Sequence, residues 1–251
     1  MLAPGHDQAG HRIRLEWGPT GAAAIARRAD VAVVVDVLSF TTTVTVAVER
    51  GITVYPFRWR DERASEYAEE LQANLALQRQ DARYRAGAVS LSPGSLQAAT
   101  GIERLVLPSP NGSTICAELA SSGATVVAAC LRNASAVSEW LRPRVDGGAV
   151  IAVVAAGERW PDDSLRPCAE DLWGAGAVLA GLDPEPMSPE ARLARDAYAR
   201  FEPRPLENLS TCAGGIELTA HGFAHDVAIA GRLHTSGVVP VLRGGAFAPT
   251  P

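Results

Sequence analysis

A chain of 251 residues that is 47% hydrophobic and 20% charged is long enough to bury a substantial core, and its composition excludes the disordered and fibrous classes. Its formal net charge of -5 argues against nucleic acid or anionic membrane as the main partner, because both reward a basic surface. No lysine is present, which excludes lysine Schiff bases and Walker-type phosphate loops and leaves anion binding to arginine and backbone amides. The apolar runs VAVVVDVL and AVIAVVAA are too short to span a bilayer, and MLAPGHDQAGHRIR lacks the apolar stretch of a signal peptide. A cytoplasmic protein is the expectation. Cys116, Cys130, Cys168 and Cys212 form no CxxC pair and sit among apolar or small neighbours, so they are expected to be buried free thiols.

Apolar, β-branched runs at 31–35, 52–55, 104–107, 125–129, 149–155 and 237–242 predict buried strands, each leading into a turn or a helical pattern. Between them, 61–80 reads as one helix behind an Asp61 cap, SPGSLQAAT as a helix with a Ser92 cap and Pro93 in its first turn, and NASAVSEWLR as a helix from Asn133. Near-continuous hydrophobicity along the strands requires cover on both faces of the sheet. The prediction is therefore one α/β domain over residues 1–251, a three-layer α/β/α sandwich with a mostly parallel sheet. From about 188 onward the pattern is of successive helices, then the last strand, with FAPTP as a frayed tail.

In open parallel sheets ligands bind beyond the carboxyl ends of the strands, so the junctions that follow them matter most. At the first, a strand delivers Asp36, and Ser39, Thr41, Thr42 and Thr43 open a helix. The acid suits a metal or an attacking water and the hydroxyls suit phosphate oxygens, although the same residues also serve as helix caps. At the second, a strand runs into Asn111, Gly112 and Ser113; glycine lets the backbone approach an anion, and a plain Asn-Gly turn uses the same letters. At the third, Glu158, Arg159, Asp162, Asp163 and Arg166 precede Glu170 and Asp171 at a helix start. Carboxylates at that density must be solvated, used as caps or bridged by a cation, and a hard cation such as Mg²⁺ prefers oxygen ligands. His221 and His225 are four apart without an HExxH pattern and read as a helix surface. GxSxG and strand-linked GxGxxG are both missing, which counts against serine esterases and simple dinucleotide-binding dehydrogenases.

Seven segments taken in order, DVLSFTTT, SLSPGSL, LPSPNGSTI, LRNASAV, AAGERWPDDSLRPCAEDLWGAG, GIEL with GFAHDV, and VVPVL, resemble the 2-phosphosulfolactate phosphatase family from about residue 30 to 245. The resemblance implies Mg²⁺-assisted hydrolysis of a small anionic phosphate ester of a three-carbon acid, with no organic cofactor. It implies a metal held by Asp36, Glu170 and Asp171, and a phosphate loop at Asn111 and Gly112. The chain is a divergent member in this reading: Ser39 stands where an arginine is common and Ser113 where threonine is usual. Arg166 or Arg132 is the expected compensating cation, with Asn133 beside it. Asp36 or Asp162 is expected to position or deprotonate the attacking water, with Ser39, Thr41, Thr42 and Ser113 lining the substrate. The alternative from another class is an anion-binding or scaffold protein on the same fold that has lost turnover, and Ser39 is the feature that keeps it open. A homo-oligomer is the base-rate expectation.

Overall fold

In the computed structural model the described residues are 2–58, 62–85 and 87–249. The chain opens with β1 (Ile13–Trp17), α1 (Gly18–Ile25), β2 (Val31–Val35), α2 (Phe40–Glu49), β3 (Thr53–Phe57), α3 (Glu62–Glu70), β4 (Asn74–Leu75) and α4 (Arg79–Ala82). It continues through α5 (Pro93–Ala98), β5 (Arg104–Pro108), α6 (Gly112–Ala120), β6 (Thr125–Ala129), α7 (Ala134–Asp146) and β7 (Ile151–Ala155). A short ribbon of β8 (Glu158–Arg159) and β9 (Leu165–Arg166) leads to α8 (Ala169–Ala180). After it come α9 (Pro189–Phe201), α10 (Pro205–Thr211), α11 (Ala213–Ala220), α12 (Ala224–Ala230), β10 (Pro240–Arg243) and β11 (Ala246–Pro249).

Among the described residues the large sheet has the order β1-β7-β2-β6-β10-β11-β3-β5-β4. β1, β7, β2 and β6 form one parallel block, and β3, β5 and β4 form another. The antiparallel β10–β11 hairpin joins the blocks through one residue pair on each side, Val241 with Val127 and Phe247 with Val54. The sheet is mixed but mostly parallel, as the sequence predicts.

Two apolar cores cover its faces. Val31, Val33 and Val35 of β2 pack with Val137, Leu141, Val178 and Phe201 on one side, while Ala32 and Val34 pack with Ile25, Val44, Ile115 and Leu119 on the other. Successive residues of an extended strand point to opposite faces, so a strand with a helical layer on each side has to be apolar at every position. That is why VAVVV reads as an unbroken run. No helix among the described residues is long and apolar enough to cross a membrane.

Several boundaries depart from the sequence reading. β1 is an edge strand in which Arg14 and Glu16 alternate with apolar residues, which weakens its hydrophobic signal. The long helix predicted over 61–80 stops at Glu70; Gln72 turns with φ 51°, and Asn74–Leu75 join the sheet. Asp61, its proposed cap, lies outside the described residues. The expected frayed tail is a strand in part: residues 246–249 return along β10 after Gly244 and Gly245, whose positive φ values make the tight turn. Asn133 precedes α7 but does not cap it through its side chain. The Ser92 cap is found as predicted, its Oγ accepting from the Ser95 N–H.

Helices α8 and α9 pack at very close range because Gly176 has no side chain. A Cβ there would run into the Ala194 carbonyl oxygen and stand 2.7 Å from Tyr198 Cβ. Backbone cannot retreat as a side-chain tip can, so Gly176→Ala is expected to cost about 1–3 kcal/mol of stability through overpacking. A lowered urea midpoint at an unchanged m-value checks this.

Candidate active site

Asp36 is the first residue beyond β2, and the turn after it is built by its neighbours. Thr41 Oγ1 donates to the Asp36 carbonyl at 2.7 Å and accepts from the Asp36 N–H at 2.9 Å, while Thr42 Oγ1 donates to the Val37 carbonyl at 2.7 Å. Both threonines are fully buried, so their hydroxyls hold the turn rather than face a ligand. The Phe40 N–H donates to Asp36 Oδ1 at 3.0 Å and fixes the carboxylate over the start of α2.

Asp171 arrives from the first turn of α8 and ties two strand ends together. Its Oδ1 accepts from the Val37 N–H beyond β2 at 2.7 Å, and its Oδ2 accepts from the Gly157 N–H beyond β7 at 2.8 Å. Glu170, one residue earlier, is buried, and its Oε2 has no hydrogen-bond partner. Gly214 of α11 lies so close that any Cβ would collide with Glu170 Oε1. The third junction of the sequence reading thus folds back onto the first.

Burial pushes the Asp36 carboxyl up to about 7, and the negative charge of Glu158 adds to this; the N–H groups of Phe40 and Gly112, and Arg79, pull the other way. Asp171 is raised well above the usual carboxylate range by burial first, then by Asp36 and Glu170. Glu158 thus opposes ionisation of Asp36, and Asp36 and Glu170 oppose that of Asp171, so the four acids meet in one place. Cys116 and Cys168, both buried, are also raised by burial and by these carboxylates. Such thiols pack as apolar groups and are not nucleophiles. All four cysteines are free, and Cys212 is the one not fully buried.

The second junction meets the same point. Gly112 opens α6, its N–H lies near enough to the Asp36 carboxylate to favour the charged form, and a Cβ on it would stand 2.8 Å from Asp36 Oδ2. Asn111 precedes it, nearly buried, and makes no side-chain cap. Ser113 Oγ donates to the Leu107 carbonyl at 3.2 Å and is buried, a stitch between α6 and β5. Residues from three separate junctions, Asp36, Gly112 and the Glu170–Asp171 pair, are thus brought together.

Other expected residues lie elsewhere. Asp162 is exposed at the tip of the β8–β9 ribbon, where Ser164 donates to it through its N–H and its hydroxyl and holds its carboxyl below the usual range. A carboxylate solvated at a turn is poorly suited to take a proton from a bound water. Arg132 is buried and paired with Glu49 at 3.1 Å. Asn133 bridges Ala128 of β6, Cys130 just beyond it and Val238 ahead of β10, and is wholly enclosed. Arg166 lies on β9, its guanidinium carbon 5.6 Å from the Trp160 ring centre. None of these is among the groups that hydrogen-bond or electrostatically shift Asp36.

The residue that does meet Ser39 is Arg79. Its Nη2 donates to Ser39 Oγ at 2.5 Å and to the Leu91 carbonyl at 3.2 Å, and its Nε stands 3.5 Å from Asp226 Oδ2. Asp226 is buried, and its Oδ1 accepts from Ser92 Oγ at 2.7 Å and from the Gly94 N–H at 3.2 Å. Sequence reasoning missed Arg79 because it fell inside the helix predicted for 61–80. Leu75 and Leu77, apolar at a spacing of two, carried the signal of an extended segment there. Glu158 was visible as a loop acid but was not singled out.

Buried acids in excess of nearby cations, with an unpartnered Glu170 oxygen, form a hard oxygen donor set of the kind Mg²⁺ takes. No three His, Cys, Asp or Glu side chains among the described residues stand ready around one ion. This still suits Mg²⁺, which is commonly bound through one or two carboxylates with waters and substrate phosphate completing its shell.

Comparison with known proteins agrees with the geometry. A protein of Thermus thermophilus named as a probable 2-phosphosulfolactate phosphatase is 27% identical over 231 residues, covering 86% of this chain and 89% of the relative. The sequence model of the family described as 2-phosphosulpholactate phosphatase matches residues 22–245, a span that takes in every junction described above. The chain therefore belongs to the 2-phosphosulpholactate phosphatase family and is a phosphoric monoester hydrolase by that membership.

Proposed function

We propose that this protein hydrolyses the phosphate monoester of a small sulfo- or carboxy-acid, with Mg²⁺ as its cofactor, at the acidic cluster around Asp36. The observation that carries the reading is the meeting of Asp36, Asp171, Glu170 and Glu158 beside Gly112, from junctions far apart in sequence. Asp36, Glu170 and Asp171 are the residues from which one or two would hold the cation, with waters and substrate phosphate completing its shell. When bound, Mg²⁺ supplies neutralisation of charge on the phosphoryl oxygens.

The protein groups have separate tasks in this reaction. Asn111 and Ser113, on either side of Gly112, flank the phosphoryl group with loop amides at the start of α6. Water attacks phosphorus in line, the bond from phosphorus to the alcohol oxygen breaks, and the alcohol oxygen takes a proton from solvent, balanced by the one that the attacking water gives up. Asp36 is assigned to position the attacking water and take its proton, from its place directly beyond β2 and beside the start of α6. Direct hydrolysis is preferred over a covalent intermediate of the DxDxT type, since Leu38 stands where the second acid would be.

The test is phosphate release from purified, chelator-treated protein over a panel of phosphate esters, with and without Mg²⁺. Release is expected only with Mg²⁺, and Mg²⁺ alone is expected to raise the thermal midpoint by relieving repulsion among the buried acids. Equal turnover after chelation would remove the metal from the reading. Ester binding without any release would favour the anion-binding alternative.

A further inference from the structure

A cavity of about 470 Å³ opens beside Arg79, of a size that encloses far more than a three-carbon chain. Its wall includes Leu75, Leu77, Leu91, Leu218 and Phe223, contributed by widely separated segments of the chain. Pro108 also lines it and, as the last residue of β5, stands just before the Asn111–Ser113 loop, while Arg79 on its wall reaches Ser39. Arg79 is the only arginine among its described lining residues, whereas Asp81 and Glu217 place carboxylates on the wall. An acid group entering here is attracted to Arg79 and repelled by Asp81 and Glu217.

Arg79 is held as a binding group has to be. Asp226 and Phe223, whose ring centre is 5.3 Å from the guanidinium carbon, fix it on one side, and Ser39 fixes it on the other. The charge of Asp226 is shared with Ser92 and the Gly94 N–H, so it orients Arg79 without belonging to it alone. The influence of Arg79 on Asp36 places it within electrostatic reach of the reacting group.

We propose that Arg79 and this cavity select the substrate: the guanidinium binds the carboxylate or sulfonate of the ester, and the cavity takes an apolar substituent larger than a three-carbon acid carries. The inference rests on the phosphatase reading above and names its substrate class, the phosphates of 2-hydroxy acids bearing aryl or branched alkyl groups.

Initial rates of phosphate release with Mg²⁺ test it on three esters: 2-phospholactate, the phosphate of 3-phenyllactate, and 2-phenylethyl phosphate, which lacks the acid. The phenyllactate ester is expected to show a kcat/KM at least about tenfold above that of phospholactate, the usual worth of filling an apolar pocket. Leu77→Trp and Leu218→Trp, two fillers on different segments, are each expected to lower that ratio roughly tenfold. Arg79→Gln is expected to lower the kcat/KM ratio of phenyllactate phosphate to phenylethyl phosphate by about tenfold, chiefly through KM, with Arg79→Lys recovering part of it. Because each readout is a ratio within one protein, partial misfolding of a variant does not imitate it. Phosphate released from the two acids with equal kcat/KM, or ratios unmoved by Arg79→Gln, overturns the inference and leaves the phosphatase reading standing. Release from none of the esters overturns both.

Discussion

Asp36→Asn is expected to lower phosphate release by about 10²–10⁴-fold, the range for removing a group that moves a proton, and yet to stabilise the metal-free chain at alkaline pH. The carboxyl ionises near its ordinary 3.8 in the unfolded chain and only near 7 in the folded one, because burial and Glu158 oppose its charge. The folded state thus keeps the extra proton between those values and loses stability as pH rises through that window. Above it the whole penalty applies, roughly 4 kcal/mol at about 1.4 kcal/mol per pKa unit. Asparagine does not ionise and escapes this, but an amide that turns its NH₂ toward the Phe40 N–H or the nearby Gly112 N–H has no acceptor there, at a cost of about 1–3 kcal/mol. The variant should gain on the parent by on the order of 2–3 kcal/mol as pH rises from 5 to 8. Urea denaturation in chelator at each pH, alongside phosphate release with Mg²⁺, reads both effects. A stability difference that shrinks with rising pH would contradict the buried-charge account.

The same arrangement shows what a sequence can and cannot disclose here. The strands β2, β5, β6 and β7 were legible because a strand covered on both faces must be apolar at every position, and that pattern needs no partner to be read. β1 and β11 were not. β1 carries Arg14 and Glu16 on an edge, and β11 holds its place by pairing with β10 and β3, which no local pattern announces. The Gly244–Gly245 pair is a hairpin signal that the reading of FAPTP as a frayed tail passes over.

In the site, Asp36, Gly112, Glu170 and Asp171 could be named because each sits directly after a strand or at a helix start, where polar side chains gather in this fold. Their different duties could not be. Asp171 spends both oxygens on the backbone of other strand ends, which depends on where α8 returns to the sheet. Arg132 and Asn133 look like ligands in a string of letters, but Glu49 and the carbonyls of Ala128 and Val238 take them up. Arg79 lies outside every recognisable motif and becomes relevant only when the chain turns at Gln72 and carries it to Ser39. A charged side chain recruited from outside the motifs leaves its signal in distance rather than in spacing.

Gly112→Ala is expected to damage stability and turnover together, and more than its single methyl suggests. Gly112 lies between two immovable groups. A Cβ would run into the Phe40 ring edge and come within 2.8 Å of Asp36 Oδ2. Phe40 is fully buried and packs edge-to-face on Phe247 at 6.4 Å, so its ring has no space to withdraw into. The methyl must instead drive α6 away from α2 or turn the Asp36 carboxylate, and either movement takes the Gly112 N–H away from the charge it favours. Overpacking of this kind costs about 1–3 kcal/mol. A displacement on the order of 1 Å at the group that handles the attacking water is worth roughly a hundredfold in rate. Gly237 is the control: a Cβ there meets nothing within 4 Å, so Gly237→Ala should stay within about 0.5 kcal/mol of the parent. Urea midpoints and kcat/KM for both variants decide the matter. Parental kcat/KM in a folded Gly112→Ala protein would mean that the close approach of α6 to Asp36 serves packing alone, and the start of α6 would then lose its place in the phosphoryl site.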